Sequence, residues 1–192
     1  MKENILEKKA RFKLKLNVSY KLLDKHGNVK PIFQLNRFGN WLLKRGWITP
    51  FNKNWLLGSK VDLMNISNLI TNAGAAGVAS RINGDGSEAV FTYIAVGTGT
   101  TAAAVTDTTL ETELATSGLS RAVATASRVT TDVTNDTAQL VKLFSVTGTA
   151  AVTESGVFNA ASAGVLLARQ IFSAINVVNG DTLQITWKFD VD

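Results

Sequence analysis

Alternation is the clearest pattern in the chain. From residue 12 to 21, apolar Phe12, Leu14, Leu16, Val18 and Tyr20 alternate with polar Lys13, Lys15, Asn17, Ser19 and Lys21. A period of two marks a half-buried strand. The same pattern closes the chain, where Leu183, Ile185, Trp187, Phe189 and Val191 alternate with Thr182, Gln184, Thr186, Lys188 and Asp190. After the first strand, Asp24-Lys25-His26-Gly27-Asn28 supplies turn chemistry, with Gly27 open to a positive φ. Val29–Leu35 resumes the apolar run, so a β-hairpin is predicted, and Pro31 confines its return strand to an edge or a bulge.

Between the two alternating strands the pattern is less regular. Trp41, Leu42, Leu43, Trp47, Ile48, Phe51, Trp55, Leu56 and Leu57 are interrupted by Gly39, Gly46, Pro50 and Gly58. A short helix around Trp41–Lys44 followed by irregular chain is expected. So much large apolar surface on a loop-like stretch either packs on the following domain or forms an exposed contact patch. Thr71 or Asn72 caps a helix running to about Arg81, whose Gly74 and Gly77 suggest close packing on a sheet. Asn83–Ser87 is a loop. Strands are predicted over 90–96, 120–131, 139–147, 154–159 and 166–175, with a helical turn at 110–114. Short strands with turn signals between them point to a mainly β protein. The expected fold is an antiparallel β-sandwich or jelly-roll-like domain over 66–192 with one short helix. Residues 1–65 form a basic N-terminal β-hairpin arm and a Trp-rich docking segment. The hairpin either adds to that domain or reaches to a neighbour.

Charge sharpens this division. Residues 1–60 carry 14 Lys/Arg against 3 Asp/Glu, and residues 61–192 carry 6 against 12. The basic part suits an acidic protein surface, or simply keeps a hairpin soluble. Nucleic acid is the weaker reading, because no zinc-finger, helix-turn-helix or RNP-type pattern accompanies the lysines. The N-terminus lacks the apolar core of a secretory signal, and no apolar run approaches the ~20 residues that span a bilayer.

Candidate chemistry is sparse. The chain has no cysteine and one histidine, His26, in a predicted turn. Disulfides, thiolate zinc sites and cysteine nucleophiles are thereby excluded, and no cofactor or metal ligand set is expected. Gly97-Thr98-Gly99-Thr100-Thr101 resembles a phosphate loop only superficially, for it lacks the lysine of a P-loop and the βαβ context of a dinucleotide site. Glu111/Glu113, Asp132/Asp136 and Asp190/Asp192 pair carboxylates without a saccharide groove beside them. Asn83–Glu88 is the best of a weak set of calcium loops and lacks EF-hand spacing. No catalytic residue is assigned.

Five segments together resemble a family of phage and prophage virion proteins described as tail, collar or fibre-associated. They are Leu69-Ile70-Thr71-Asn72-Ala73-Gly74, Tyr93-Ile94-Ala95-Val96-Gly97-Thr98-Gly99-Thr100-Thr101, Glu154-Ser155-Gly156-Val157-Phe158-Asn159-Ala160-Ala161-Ser162, Leu167-Ala168-Arg169-Gln170-Ile171-Phe172 and Gly180-Asp181-Thr182-Leu183-Gln184-Ile185-Thr186-Trp187. Their order and spacing cover roughly residues 66–190. Relatives often carry proline after the Gly-Thr loop, where this chain has Ala103 and Ala104. The Trp-rich stretch at 41–57 has no counterpart. The resemblance implies a non-enzymatic structural component of a tailed-phage virion at the collar, tail or fibre attachment. Alternatives are a capsid decoration or head-fibre protein, and a host-surface glycan-binding module. Expected partners are other virion proteins and copies of the chain itself, with no membrane and with nucleic acid as the weaker reading; the expected location is the virion, assembled in the host cytoplasm. The expected interface residues are Trp41, Arg45, Trp47, Trp55, Lys13 and Lys15.

Overall fold

The computed structural model of the protein describes residues 14–86 and 88–191. Phe12, Lys13 and the more N-terminal lysines lie outside the described residues, as does Ser87. In chain order the elements are β1 (Leu14–Leu23), β2 (Val29–Lys30), β3 (Ile32–Leu35), α1 (Arg37–Lys44), β4 (Gly58–Val61), β5 (Met64–Ser67) and β6 (Leu69–Ile70). Then follow α2 (Asn72–Asn83), β7 (Tyr93–Gly97), β8 (Ala122–Val123), β9 (Thr125–Val129), β10 (Thr137–Ser145), β11 (Ala150–Phe158), β12 (Leu166–Val177) and β13 (Thr182–Val191).

Two antiparallel sheets face each other as a β-sandwich. The first runs β2-β1-β13-β10-β9, with β5 also paired to β1, and the second runs β6-β12-β11-β7-β8. The two alternating segments are neighbours, since β1 pairs with β13 from Leu14↔Val191 to Leu23↔Thr182. Their apolar positions meet the second sheet: Val18, Tyr20, Ile185 and Trp187 are fully buried with Val96, Val152, Phe172 and Val177. Of the two placements open to the hairpin, the structure has the first. β1 is an interior strand of the core sheet. Pro31 falls between β2 and β3, where the chain leaves the sheet edge and a missing donor costs nothing.

The outer face of the first sheet is polar, as alternation requires. The outer face of the second is covered, so β11 and β12 are buried almost throughout. One cover is α2, capped by Thr71, whose Oγ1 accepts from Gly74 N–H at 2.9 Å and donates to the Leu166 carbonyl at 2.5 Å. A Cβ at Gly74 would stand 2.7 Å from the Leu167 carbonyl carbon and nearer still to its oxygen. Gly→Ala in a helix ordinarily stabilises by about 1 kcal/mol. Here Gly74→Ala is expected to destabilise by about 1–3 kcal/mol through overpacking on backbone, read as a lower urea midpoint. A midpoint that rises would show that α2 does not sit this close.

Three expected elements differ. No helical turn forms at 110–114: Leu114 N–H donates to the Val96 carbonyl and Glu113 bridges to Gly97, so this segment lies along β7. The strand expected over 120–131 is split at Ala124, because β8 belongs to the second sheet and β9 to the first. The short strand expected at 154–159 is the second half of the longer β11.

Candidate functional site

Two places gather side chains that could carry function. The first is buried and centres on Glu154 of β11 and Arg169 of β12, which are 0% and 3% exposed. Charges this deep need full compensation. Glu154 Oε1 accepts from the N–H groups of Gly99 at 3.0 Å and Thr112 at 2.8 Å. Its Oε2 accepts from Glu111 N–H at 3.1 Å and Arg169 Nε at 2.9 Å. The remaining Arg169 donors reach Asp107 at 2.7 Å and the Thr101 carbonyl at 3.1 Å. Burial alone would lower the Arg169 pKa, but the bonds to Asp107 and Glu154 reverse this and raise it. Glu111 closes the loop, accepting from the N–H groups of Thr100 and Thr101, both at 2.7 Å, and from the Thr101 hydroxyl at 2.9 Å.

Gly97-Thr98-Gly99-Thr100-Thr101 therefore does hold an anion, and the anion is the protein's own carboxylate. A Cβ at Gly99 would lie 2.5 Å from Glu154 Oε1, so glycine is what lets the carboxylate reach the backbone. Three of the motif segments, at 93–101, 154–162 and 167–172, converge on this cluster. The segment at 69–74 packs on Leu167 next to it, through β6 and the Thr71 cap. In the segment at 180–187, Asp181 holds Lys30 at 2.6 Å and anchors the hairpin. Each motif is a joint of the sandwich.

These joints draw on the acidic half of the chain. Besides the groups above, Glu113 pairs with Arg121 at 2.6 Å. Asp136 gathers the N–H groups of Val133, Thr131 and Asp132 in the turn before β10. The Val133 bond foremost holds Asp136 below the usual carboxylate range, and the Thr101 amide and then its hydroxyl do so for Glu111. Because both folded values are lowered, their stabilisation is fully present above the ordinary values of 3.8 and 4.5 and fades as pH falls through the folded values. Stability should thus drop in acid, and Glu111→Gln with Asp136→Asn should flatten that drop. Parallel acid titrations of the urea midpoint in the two proteins would contradict this.

The second place is on the surface. Asn36 caps α1 by accepting from Gly39 N–H at 2.8 Å, and the buried Gly39 and Leu43 turn inward. Leu43 joins Leu35 and Ile171 in a small core with Ile48 and Leu57. The opposite face is aromatic. Phe38 stacks on Trp41 with centroids 5.8 Å apart, Trp47 meets Trp41 edge-on at 5.1 Å, and the Arg45 guanidinium lies 4.7 Å above Trp41 and 5.8 Å from Trp47. The helix end builds this stack. Gly46 has φ +70°, its N–H donates to Leu43 and that of Trp47 to Leu42, the two bonds of a Schellman motif. That motif brings the residue after the glycine back onto the last turns of the helix, which places Trp47 on Trp41. Phe38, Trp41 and Trp47 are 58%, 41% and 64% exposed, an amount of aromatic surface that ordinary packing does not require.

The chain matches no protein-family model, no curated protein and no solved structure. Of the expected interface residues, Trp41, Arg45 and Trp47 come together in the stack. Trp55 lies elsewhere, exposed in a separate groove. Lys15 sits on β1, 3.7 Å from Asp132, and Lys13 lies outside the described residues. Phe38 belongs to the stack and was missed; its spacing three residues before Trp41 was the available signal. His26 is in the exposed β1–β2 turn, where Asp24 accepts from the N–H groups of residues 26 and 28. Among the described residues no group of three or more His, Asp or Glu could hold a metal ion, and no helix is long and apolar enough to cross a membrane.

Proposed function

We propose that the protein is a structural component of a tailed-phage virion that docks through the outer face of α1. The observation that carries this reading is the solvent-facing Phe38–Trp41–Arg45–Trp47 stack, whose members already touch one another in the chain alone. Aromatic and Arg anchors of this kind dominate binding energy at protein interfaces, and preordering them lowers the entropic cost of docking. The resemblance of the motif segments to tail, collar and fibre-associated virion proteins supplies the setting. Its partners are other virion proteins, with copies of itself beside it, and it acts by interface burial without catalysis. The exposed cations Arg37, Lys44 and Arg45 around the stack favour an acidic partner surface.

A capsid decoration or head-fibre position is equally compatible with this docking mode. The glycan reading has less support. Trp187 is buried in the core, and the amides nearest Trp41 bond to backbone: Asn40 to Leu35, Asn36 to Leu56 and Gln34 to Asn65. Mass spectrometry of purified particles tests the setting. The expected result is the protein among the structural components at a copy number set by particle symmetry; its absence from particles would refute the proposal.

A further inference from the structure

Trp55 is 81% exposed and stands in a groove of about 540 Å³ that α1 does not line. The floor is apolar, made by Leu22, Ile32 and Ile175, and Phe33 and Trp55 contribute aromatic wall. Lys53 and Lys60 stand at the groove, both exposed and without an ion pair among the described residues. Lys30, also lining it, is already neutralised by Asp181.

One border of the groove is the outer edge of β12. Along that edge β6 covers Ala168 and Arg169, the Ser173 hydroxyl donates to the Phe33 carbonyl, and Ala174 N–H donates to the Pro50 carbonyl at 2.8 Å. From Ile175 to Val177 the other edge pairs with β11, at Val152 to Ala150, but no strand lies on the outer one. Its outward main-chain groups have no partner among the described residues. Open strand edges are templates for pairing, and proteins that do not use them usually cover or blunt them.

We propose that this groove binds an extended, acidic peptide segment of another protein, added as a strand beside Ile175–Val177. Strand addition takes affinity from main-chain hydrogen bonds and selectivity from where alternate side chains fall. Apolar side chains of the segment would drop onto the Leu22–Ile32–Ile175 floor between Phe33 and Trp55. The alternate, acidic ones would meet Lys53 and Lys60. The site is separate from the α1 stack and stands on the groove's own geometry.

The test uses the full chain and a fluorescent peptide of about six residues, the length of an ordinary strand, alternating valine and glutamate. Fluorescence anisotropy should show saturable binding that weakens with salt. Lys53→Glu with Lys60→Glu, and separately Trp55→Ala, should each weaken it at least about tenfold. Trp41→Ala with Trp47→Ala should leave it unchanged, which keeps this outcome distinct from failure of the α1 reading. A peptide N-methylated at alternate residues, unable to pair with the edge, should not bind. The three substituted groove positions are exposed, so the fold of both groove variants can be checked by an unaltered urea midpoint. The proposal is overturned by no saturable binding up to about 1 mM, by equal binding of the N-methylated or a valine–lysine peptide, or by self-association that buries Trp55 against a second copy.

Discussion

Replacing Arg169 with methionine is expected to destabilise the protein by about 3–5 kcal/mol, the largest effect of any single change considered. Methionine keeps much of the side chain's apolar volume but removes the cation. Glu154, 0% exposed, would keep its amide donors and lose its only charged partner among the described residues. Asp107 would lose its partner as well, and the Thr101 carbonyl its guanidinium donor. Adding Glu154→Gln removes the stranded charge, so the double variant should recover part of the loss, with a coupling of at least about 1 kcal/mol in the mutant cycle. Urea midpoints of the four proteins measure it. A loss within about 0.5 kcal/mol for Arg169→Met, the range of an ordinary surface change, would show that the cluster does not hold the sandwich together.

The second large effect concerns docking. Trp41→Ala with Trp47→Ala is expected to reduce incorporation into particles to less than a tenth. A central aromatic anchor commonly contributes about 2 kcal/mol or more, which is roughly thirtyfold in affinity. The two rings touch each other, so their losses should not simply add. Arg45→Ala should cost less, since an exposed cation–π contact contributes about 0.5–1 kcal/mol. All three side chains point away from the core, so the urea midpoint should hardly move. Full incorporation of the double variant would remove the α1 face from the docking role.

How far the sequence reaches depends on which sheet is considered. The first sheet is half wet, so β1 and β13 announce themselves by alternation and pair with each other in the structure. β11 and β12 are covered by the first sheet on one face and by α1, α2 and the loop chain on the other, and there alternation has no reason to exist. Glu154 and Arg169 sit inside these apolar strands, and the signal they offered was the charge itself: an ion in a buried run requires a partner. What the local pattern could not supply was the partner's identity, because Asp107, Glu111 and Arg169 meet only after the chain has folded. The same cause removed the expected turn at 110–114, whose amide donors are taken by Glu154 and β7.

The Trp-rich segment was legible in chemistry and not in grouping. Three tryptophans within fifteen residues of one another read as one patch, yet the helix end at Gly46 draws Trp47 back onto Trp41 and leaves Trp55 to another groove. A glycine closing a helix, followed at once by an aromatic residue, is a pattern that sequence inspection can use.

The central claim, that this face of α1 is an interface in the particle, is tested most directly by hydroxyl-radical footprinting of the protein free and in purified virions. Trp41 and Trp47 should oxidise readily in the free protein and become protected in the particle, while Val133, 68% exposed near β9, reacts equally in both. Equal oxidation of the two tryptophans in both states would contradict it.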